Sequence, residues 1–186
     1  MKKLILLLAI TAISTAHAAS EQQMINESKQ AIKVFAGQLK TELMAGMQAG
    51  GPLQAVTVCN TAAEEIARKN SEKNDWLISR TSLRPRNSKN TPDTWEQGIL
   101  ESFEKRKAAG EPVSEIEHAE VVSTNGQSEF RYMKAIPTKG LCLACHGENI
   151  APELTTKIDQ LYPQDQARNY KLGDIRGAFS IVRDVQ

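Results

Sequence analysis

The sequence predicts an α+β protein in which long N-terminal helices precede an antiparallel sheet. Apolar residues recur every three to four positions from Glu21 to Met47, which is the period of an amphipathic helix. Two segments suited to strands, Ile116–Ser123 and Glu129–Ile136, flank Asn125-Gly126, a dipeptide that favours two-residue hairpin turns. Helical and strand-like patterns therefore follow one another along the same chain.

Turn signals divide the N-terminal half into further elements. Gly50-Gly51-Pro52 is expected to end the first helix, because proline fits the first position of a following helix. That second helix presents one apolar face, made of Leu53, Val56, Cys59, Ala63 and Ile66. Residues 76–80 then favour a short strand, and the basic stretch 82–90 favours a loop.

The C-terminal half shows three more elements besides the hairpin. Thr91-Pro92 is expected to begin a third helix, which Gly110 and the following Pro112 end. A short helix is predicted near Pro152–Leu161, and the alternation over Gly177–Arg183 predicts a last strand.

Composition limits the function classes. The chain has 186 residues, enough for one domain, with 23 basic and 22 acidic residues. Such a balance provides no large positive field for nucleic acid or an anionic membrane. Aromatic residues make up only 5%, too few for a base-stacking surface. We therefore expect no nucleic-acid partner.

The N-terminus has the pattern of a secretory signal peptide. Lys2 and Lys3 precede an apolar run, Leu4–Ile13, and Ala16-His17-Ala18 fits the small-residue cleavage site. The run is about half as long as the roughly 20 residues that span a bilayer, although an uncleaved anchor is an alternative. We predict a signal peptide of residues 1–18 and a single domain of residues 19–186 that is periplasmic and free of the membrane after cleavage.

The segment Cys142-Leu143-Ala144-Cys145-His146 carries the clearest chemical signal. It has the form C-x-x-C-H, in which both thiols bond covalently to a c-type haem and the histidine binds the iron. A thioredoxin-type redox pair would lie near a βαβ unit, and a zinc site would need two further ligands. The sequence predicts one covalent haem c at Cys142 and Cys145, with His146 as the proximal ligand.

Cys59 is left without an internal partner once the other two cysteines are bonded to haem. In an oxidising compartment a metal-bound thiolate would explain it, but a packed free cysteine or an intermolecular disulfide would do so too. Met133 and His118 are the competing candidates for the sixth ligand of the iron. Methionine opposite histidine is the usual arrangement in electron-carrying cytochromes c.

Five blocks, in order, resemble one known family: Ala55–Asn60, Arg80–Asn87, Thr91–Glu96, Cys142–His146 and a final block running from Tyr162-Pro163 to Gly173–Ser180. It is the single-haem c-type family first noticed in cyanobacteria, a domain of unknown function that also forms the sensory part of some histidine kinases. The resemblance covers nearly the whole mature chain. It implies a PAS-like fold and haem ligation by a cysteine and a histidine, which here are Cys59 and His146.

A polar stretch is expected to contact the carboxylates of the cofactor. Arginine complements haem propionates, and the candidates are Arg80, Arg84, Arg86 and Asn87. A solvated loop is the alternative interpretation. Tyr170 and Arg176 are further candidates of the same kind.

Ligation by both His146 and Cys59 would leave the iron no open position, so we expect no enzyme activity, whereas an open iron would allow weak peroxidase activity. A thiolate also opposes reduction. The sequence therefore predicts a redox sensor or low-potential electron carrier with an unidentified redox partner. The alternatives are a haem-based sensor of carbon monoxide or nitric oxide and an ordinary His/Met carrier.

Overall fold

The computed structural model describes residues 9–124 and 126–185. It begins with a helix, α1 (Ala9–Asn74), whose regular geometry breaks at Gly50 and Gly51. We call residues 9–49 the first arm and residues 52–74 the second arm. The predicted signal peptide lies outside the described residues at positions 1–8, and its cleavage stays a prediction.

The other elements follow α1 in this order: β1 (Leu77–Thr81), α2 (Thr94–Ala108), β2 (Glu117–Thr124), β3 (Gln127–Pro137), α3 (Leu143–His146), α4 (Pro152–Leu161) and β4 (Ile175–Val185). Two 3-10 turns, Ser88–Asn90 and Gly140–Cys142, lie between them. The strands form one antiparallel sheet in the order β1-β4-β3-β2. This architecture confirms the predicted α+β class with a long N-terminal helix and an antiparallel sheet.

The two arms of α1 pack against each other. A β-carbon on Gly46 would lie 2.7 Å from the α-carbon of Ala55, so the arms approach closely at this point. Farther along, the side chain of Asn70 donates to Gln38 Oε1 at 2.6 Å. The predicted break at the glycine pair is confirmed. The predicted position of Leu53 on a buried face is wrong, since its side chain is 37% exposed and Ala55 is buried instead.

Each face of the sheet is covered by a helix. The first arm packs on one face, in a cluster that includes Ile32, Phe35, Ile78, Tyr132 and Ile181. Helix α2 packs on the other face, in a cluster that includes Leu100, Phe103, Met133 and Ala178. Helix α4 packs against Val56 of the second arm rather than against the sheet. The sheet therefore separates two distinct layers.

Local signals fix the ends of α2 and of the hairpin. Asp93 Oδ1 accepts from the Glu96 amide at 2.7 Å, and Glu96 Oε2 accepts from the Asp93 amide at 3.1 Å. This reciprocal capping begins α2 just after the predicted Thr91-Pro92 start. Thr124 pairs with Gln127, so the hairpin turns over two residues as predicted, although Asn125 itself lies outside the described residues.

The described helices can also be compared with the length and apolar character of a membrane-spanning segment. None of them combines the length and the apolar character needed to cross a membrane.

Candidate functional site

A cavity of about 410 Å³ opens between the arms of α1 and the end of the sheet where β1 and β4 lie near the C-x-x-C-H motif. Its volume is within the range of small-molecule and cofactor pockets. Most of the predicted site residues line it: Cys59, Arg80, Arg86, Asn87, Cys142, Cys145 and His146. The fold therefore brings together residues that lie up to 87 positions apart in the sequence.

The C-x-x-C-H motif forms two successive tight turns beside the cavity. Cys142 ends the 3-10 turn, its amide donating to the Lys139 carbonyl at 2.9 Å, and α3 follows directly. Gly147 ends α3, and a β-carbon there would lie 2.6 Å from the Leu143 carbonyl oxygen. A side chain after His146 would consequently disturb the turn that presents the imidazole.

One ring nitrogen of His146 has a fixed hydrogen bond. Nδ1 donates to the Ala167 carbonyl at 2.8 Å, so in the neutral ring Nε2 carries the lone pair that can bind a metal. Burial lowers the pKa of His146 well below its usual value, and the positive charges of Arg176 and Arg86 act in the same direction. The ring also meets Tyr170 edge to face, with centroids 6.2 Å apart.

Cys59 reaches the same cavity from the second arm of α1. Burial raises the pKa of its thiol, while the nearby cations Arg80 and Arg86 oppose this rise. No disulfide joins the three cysteines Cys59, Cys142 and Cys145. The cavity thus gathers three thiols and one imidazole.

Two arginines in the cavity wall have no acidic partner among the described residues. Arg80 lines the cavity, and its guanidinium makes neither a hydrogen bond nor an ion pair with the described residues, while its backbone pairs with Phe179 of β4. Arg176 Nη1 donates only to neutral oxygens, Ser82 Oγ at 3.2 Å and the Arg84 carbonyl at 3.4 Å. Burial lowers the pKa of Arg176 to about 10. Both cations favour a ligand that carries carboxylates.

Arg86 is held differently, because a carboxylate of the chain itself binds it. Its Nε lies 3.1 Å from Asp165 Oδ1, and the Asp165 side chain is only 1% exposed. Its Nη2 donates to the carbonyl of Cys145 at 2.5 Å. Arg86 therefore lines the cavity and also connects the C-x-x-C-H motif to the loop that follows α4.

Arg84 does not contribute to the cavity wall. Its guanidinium lies 3.8 Å from the centre of the Tyr170 ring and donates to the Arg168 carbonyl at 3.0 Å. Asn87 does line the cavity, and its side chain accepts from the Lys89 amide at 3.0 Å, which caps the 3-10 turn. The sequence grouped Arg84 with the cavity residues because it could not show which way each side chain of the loop points.

The other two candidates for the sixth ligand, Met133 and His118, lie on the α2 side of the sheet, away from the cavity. Met133 is fully buried beside Leu100 and Phe103 under α2, and His118 lies near Glu120 at 3.5 Å. Neither side chain lines the cavity. Among the three sixth-ligand candidates, the fold brings only Cys59 to the cavity that contains His146.

Sequence reasoning missed the loop after α4. Asp165 Oδ1 accepts from the Ala167 amide at 2.9 Å, two residues on, which is the pattern of an Asx turn. Tyr162 and Phe179 also line the cavity and supply apolar surface. An aspartate shortly after Tyr162-Pro163 was the available signal for the turn, but nothing local linked it to Arg86.

Comparisons with known proteins agree on one relationship. The model of the Tll0287-like family matches residues 7–183. A solved structure described as the cyanobacterial heme-protein Tll0287 superposes with a TM-score of 0.65 at 19% identity, covering 88% of this chain and 96% of that chain. At this identity the similarity shows a shared fold. No curated protein matches the sequence.

Proposed function

Because this chain belongs to the Tll0287-like family, we propose that it is a periplasmic c-type haem protein acting in redox sensing or low-potential electron transfer. Membership confirms the resemblance to this family that the sequence blocks indicated, while the PAS-like fold that the resemblance implies stays a prediction. The observation that carries the proposal is that both thiols of the C-x-x-C-H motif, His146 and Cys59 line one cavity. The solved relative is described as a heme-protein, which supports haem as the occupant.

The residues of the cavity fit one covalent haem. Cys142 and Cys145 would form the two thioether bonds, and His146 would bind the iron through Nε2, since Nδ1 is engaged with Ala167. Arg80 and Arg176 would pair with the propionates, because each is a cation without an acidic partner in the described chain. The apolar part of the wall includes Phe179.

When bound, haem c supplies one-electron chemistry at its iron. Cys59 as a thiolate and His146 would both bind the iron and would thereby exclude a substrate from the metal. An anionic thiolate from Cys59 would disfavour the reduced form of the bound group in a cavity of low dielectric constant, so a low reduction potential is expected. The positive charges of Arg80 and Arg176 would offset part of this effect. These residues favour electron storage or signalling over turnover.

The electron paramagnetic resonance spectrum of the ferric protein tests the proposal. We expect wild type to show a low-spin thiolate signature that Cys59→Ser abolishes. Ala63→Ser is the matched control, because Ala63 lines the same cavity one turn farther along the second arm. This variant should keep the wild-type spectrum.

Two results would contradict parts of the proposal. Wild type without covalent haem after coexpression with the attachment machinery would refute the assignment of the cofactor. A spectrum unchanged by Cys59→Ser would exclude Cys59 as a ligand. Carbon monoxide binding by the reduced protein would favour the gas sensor considered above.

A further inference from the structure

We propose that Arg86 and Asp165 are positioning residues that fix the orientation of the His146 imidazole through the Ala167 carbonyl. The inference rests on the proposed function only in taking His146 as the iron ligand. The contacts that carry it are all internal to the chain. They link three segments: the loop after β1, the C-x-x-C-H motif and the loop after α4.

The first step is the hydrogen bond behind the imidazole. Ala167 accepts from His146 Nδ1 at 2.8 Å, and the direction of this bond decides which nitrogen faces the cavity. The position of that carbonyl is set in turn by Asp165, whose Oδ1 accepts from the Ala167 amide at 2.9 Å. Ala167 is itself fully buried. Residue Ala167 is therefore held at its amide nitrogen as well as at its carbonyl oxygen.

The second step is the guanidinium of Arg86, which joins the loop after α4 to the C-x-x-C-H motif. Arg86 Nε lies 3.1 Å from Asp165 Oδ1, and Nη2 donates to the Ala167 carbonyl at 3.2 Å. The same Nη2 donates to the carbonyl of Cys145, the residue immediately before His146, at 2.5 Å. One planar guanidinium thus sets the separation between the backbone of the motif and the Ala167 carbonyl that accepts the hydrogen bond of the imidazole.

The third step concerns why a charged pair occupies this place. The side chains of Arg86 and Asp165 are 9% and 1% exposed, and a buried ion pair often contributes little net stability because both ions lose water. Removing a group that orients a metal-binding histidine by hydrogen bonding, by contrast, typically lowers metal affinity or activity by about 10–100-fold. The arrangement is therefore better suited to orienting a ligand than to holding the fold together.

Arg168 offers a matched control within the same cluster. Its Nε lies 2.8 Å from Asp165 Oδ2, so it is a second arginine on the same carboxylate. Its side chain also pairs with Asp159 and makes no hydrogen bond to the Ala167 or Cys145 carbonyl among the described contacts. Removing Arg168 changes the charge around Asp165 and leaves the links to His146 in place.

The test measures how fast the His146 Nδ1 proton exchanges with water, by nuclear magnetic resonance of the reduced, haem-loaded protein. We expect Arg86→Gln and Asp165→Asn to accelerate this exchange by about tenfold, the factor that corresponds to the loss of one hydrogen bond. The His146 Nδ1 proton should exchange faster in Arg86→Lys as well, because lysine keeps the charge but lacks the planar guanidinium. Arg168→Gln should match wild type within error.

A backbone amide in the core separates positioning from general loss of stability. The Tyr132 amide belongs to the buried strand β3, and its exchange should stay unchanged in every variant. Equal acceleration of the His146 and Tyr132 protons in Arg86→Gln would overturn the proposal. So would wild-type behaviour of Arg86→Gln, or an equal effect of Arg168→Gln.

The same exchange is also measured in the unloaded full-length chain. If wild type carries no haem, the proposed function fails, while the exchange in the unloaded chain still decides whether Arg86 and Asp165 orient the ring. The two failures are therefore distinguishable.

Discussion

A β-carbon on Gly177 would overlap the carbonyl oxygen of Thr81, the last residue of β1. Gly177 also has a φ of +151°, a conformation that residues with a side chain rarely adopt. Both residues line the cavity. The close approach of β1 and β4 therefore shapes the wall of the site and depends on glycine.

Replacing this glycine should destabilise the protein. We expect Gly177→Ala to lower the free energy of unfolding by about 3 kcal/mol, since strain in the backbone and overpacking each cost on the order of 1–3 kcal/mol. Urea unfolding measures the change. Gly98→Ala is the control, because a β-carbon there meets nothing within 4 Å and alanine favours the helix α2. A smaller loss in Gly177→Ala than in the control would contradict the argument.

The unpaired cations of the cavity should control the reduction potential. Arg80→Gln and Arg176→Gln each remove a positive charge, so we expect each to lower the potential by about 60 mV, a tenfold change for one electron. Redox titration of the haem-loaded protein measures it. Lys89→Gln serves as control, because Lys89 is 66% exposed and pairs with Glu64 at the edge of the cavity. Equal shifts in all three variants would refute a specific role for the two arginines.

Met133 and His118 should be dispensable for iron ligation. Both lie on the α2 side of the sheet, so Met133→Leu and His118→Gln should leave the ferric spectrum unchanged. Met133→Leu should cost less than about 1.5 kcal/mol of stability, as for other swaps of similar volume. Loss of the low-spin signal in either variant would restore that residue as a ligand.

Glu117 should make the stability of the fold depend on pH. Its carboxylate binds three donors: Lys29 at 2.6 Å, Lys134 at 3.0 Å and Tyr132 at 2.8 Å. Partial burial would raise the pKa of Glu117, but these donors outweigh burial and hold it below the usual 4.5. The stabilisation is complete above the pKa of the unfolded chain, and it is lost as the pH falls through the lower pKa of the folded state.

Urea unfolding at pH 7 and at pH 3 measures this contribution. Wild type should exceed Glu117→Gln by about 1 kcal/mol at pH 7, and the difference should shrink at pH 3. Glu104→Gln is the control, since Glu104 is exposed and makes no ion pair among the described residues. An unchanged difference between the two pH values would contradict the assignment.

Local signals were sufficient for most elements of the fold. The glycine pair before Pro52 predicted the break in α1, Asn125-Gly126 predicted the hairpin, and the short helix Pro152–Leu161 was predicted with the bounds it has. The buried face of the second arm was not predictable to the same degree. Whether Leu53 or Ala55 is buried depends on where the first arm crosses, and that contact is set by Gly46.

The site shows a similar division between local and distant information. The C-x-x-C-H motif is contiguous, so its chemistry is visible in the sequence. Alternation along a strand predicts two faces but does not say which face meets a cavity, which left Met133 as a competitor of Cys59. The pair of Arg86 with Asp165 joins positions 79 residues apart, and such an ion pair leaves no local pattern.

Cys59 and the C-x-x-C-H motif reach one cavity from distant parts of the chain, and this has a consequence for chain entropy. A bond from Cys59 to a group already fastened at Cys142 would close a loop that contains β1, α2 and the hairpin of β2 and β3. By analogy with a disulfide, closing a loop of this length lowers the conformational entropy of the unfolded chain, which raises its free energy by about 4.5 kcal/mol. Release of the Cys59 thiolate would therefore lower the stability of the whole fold as well as change the iron.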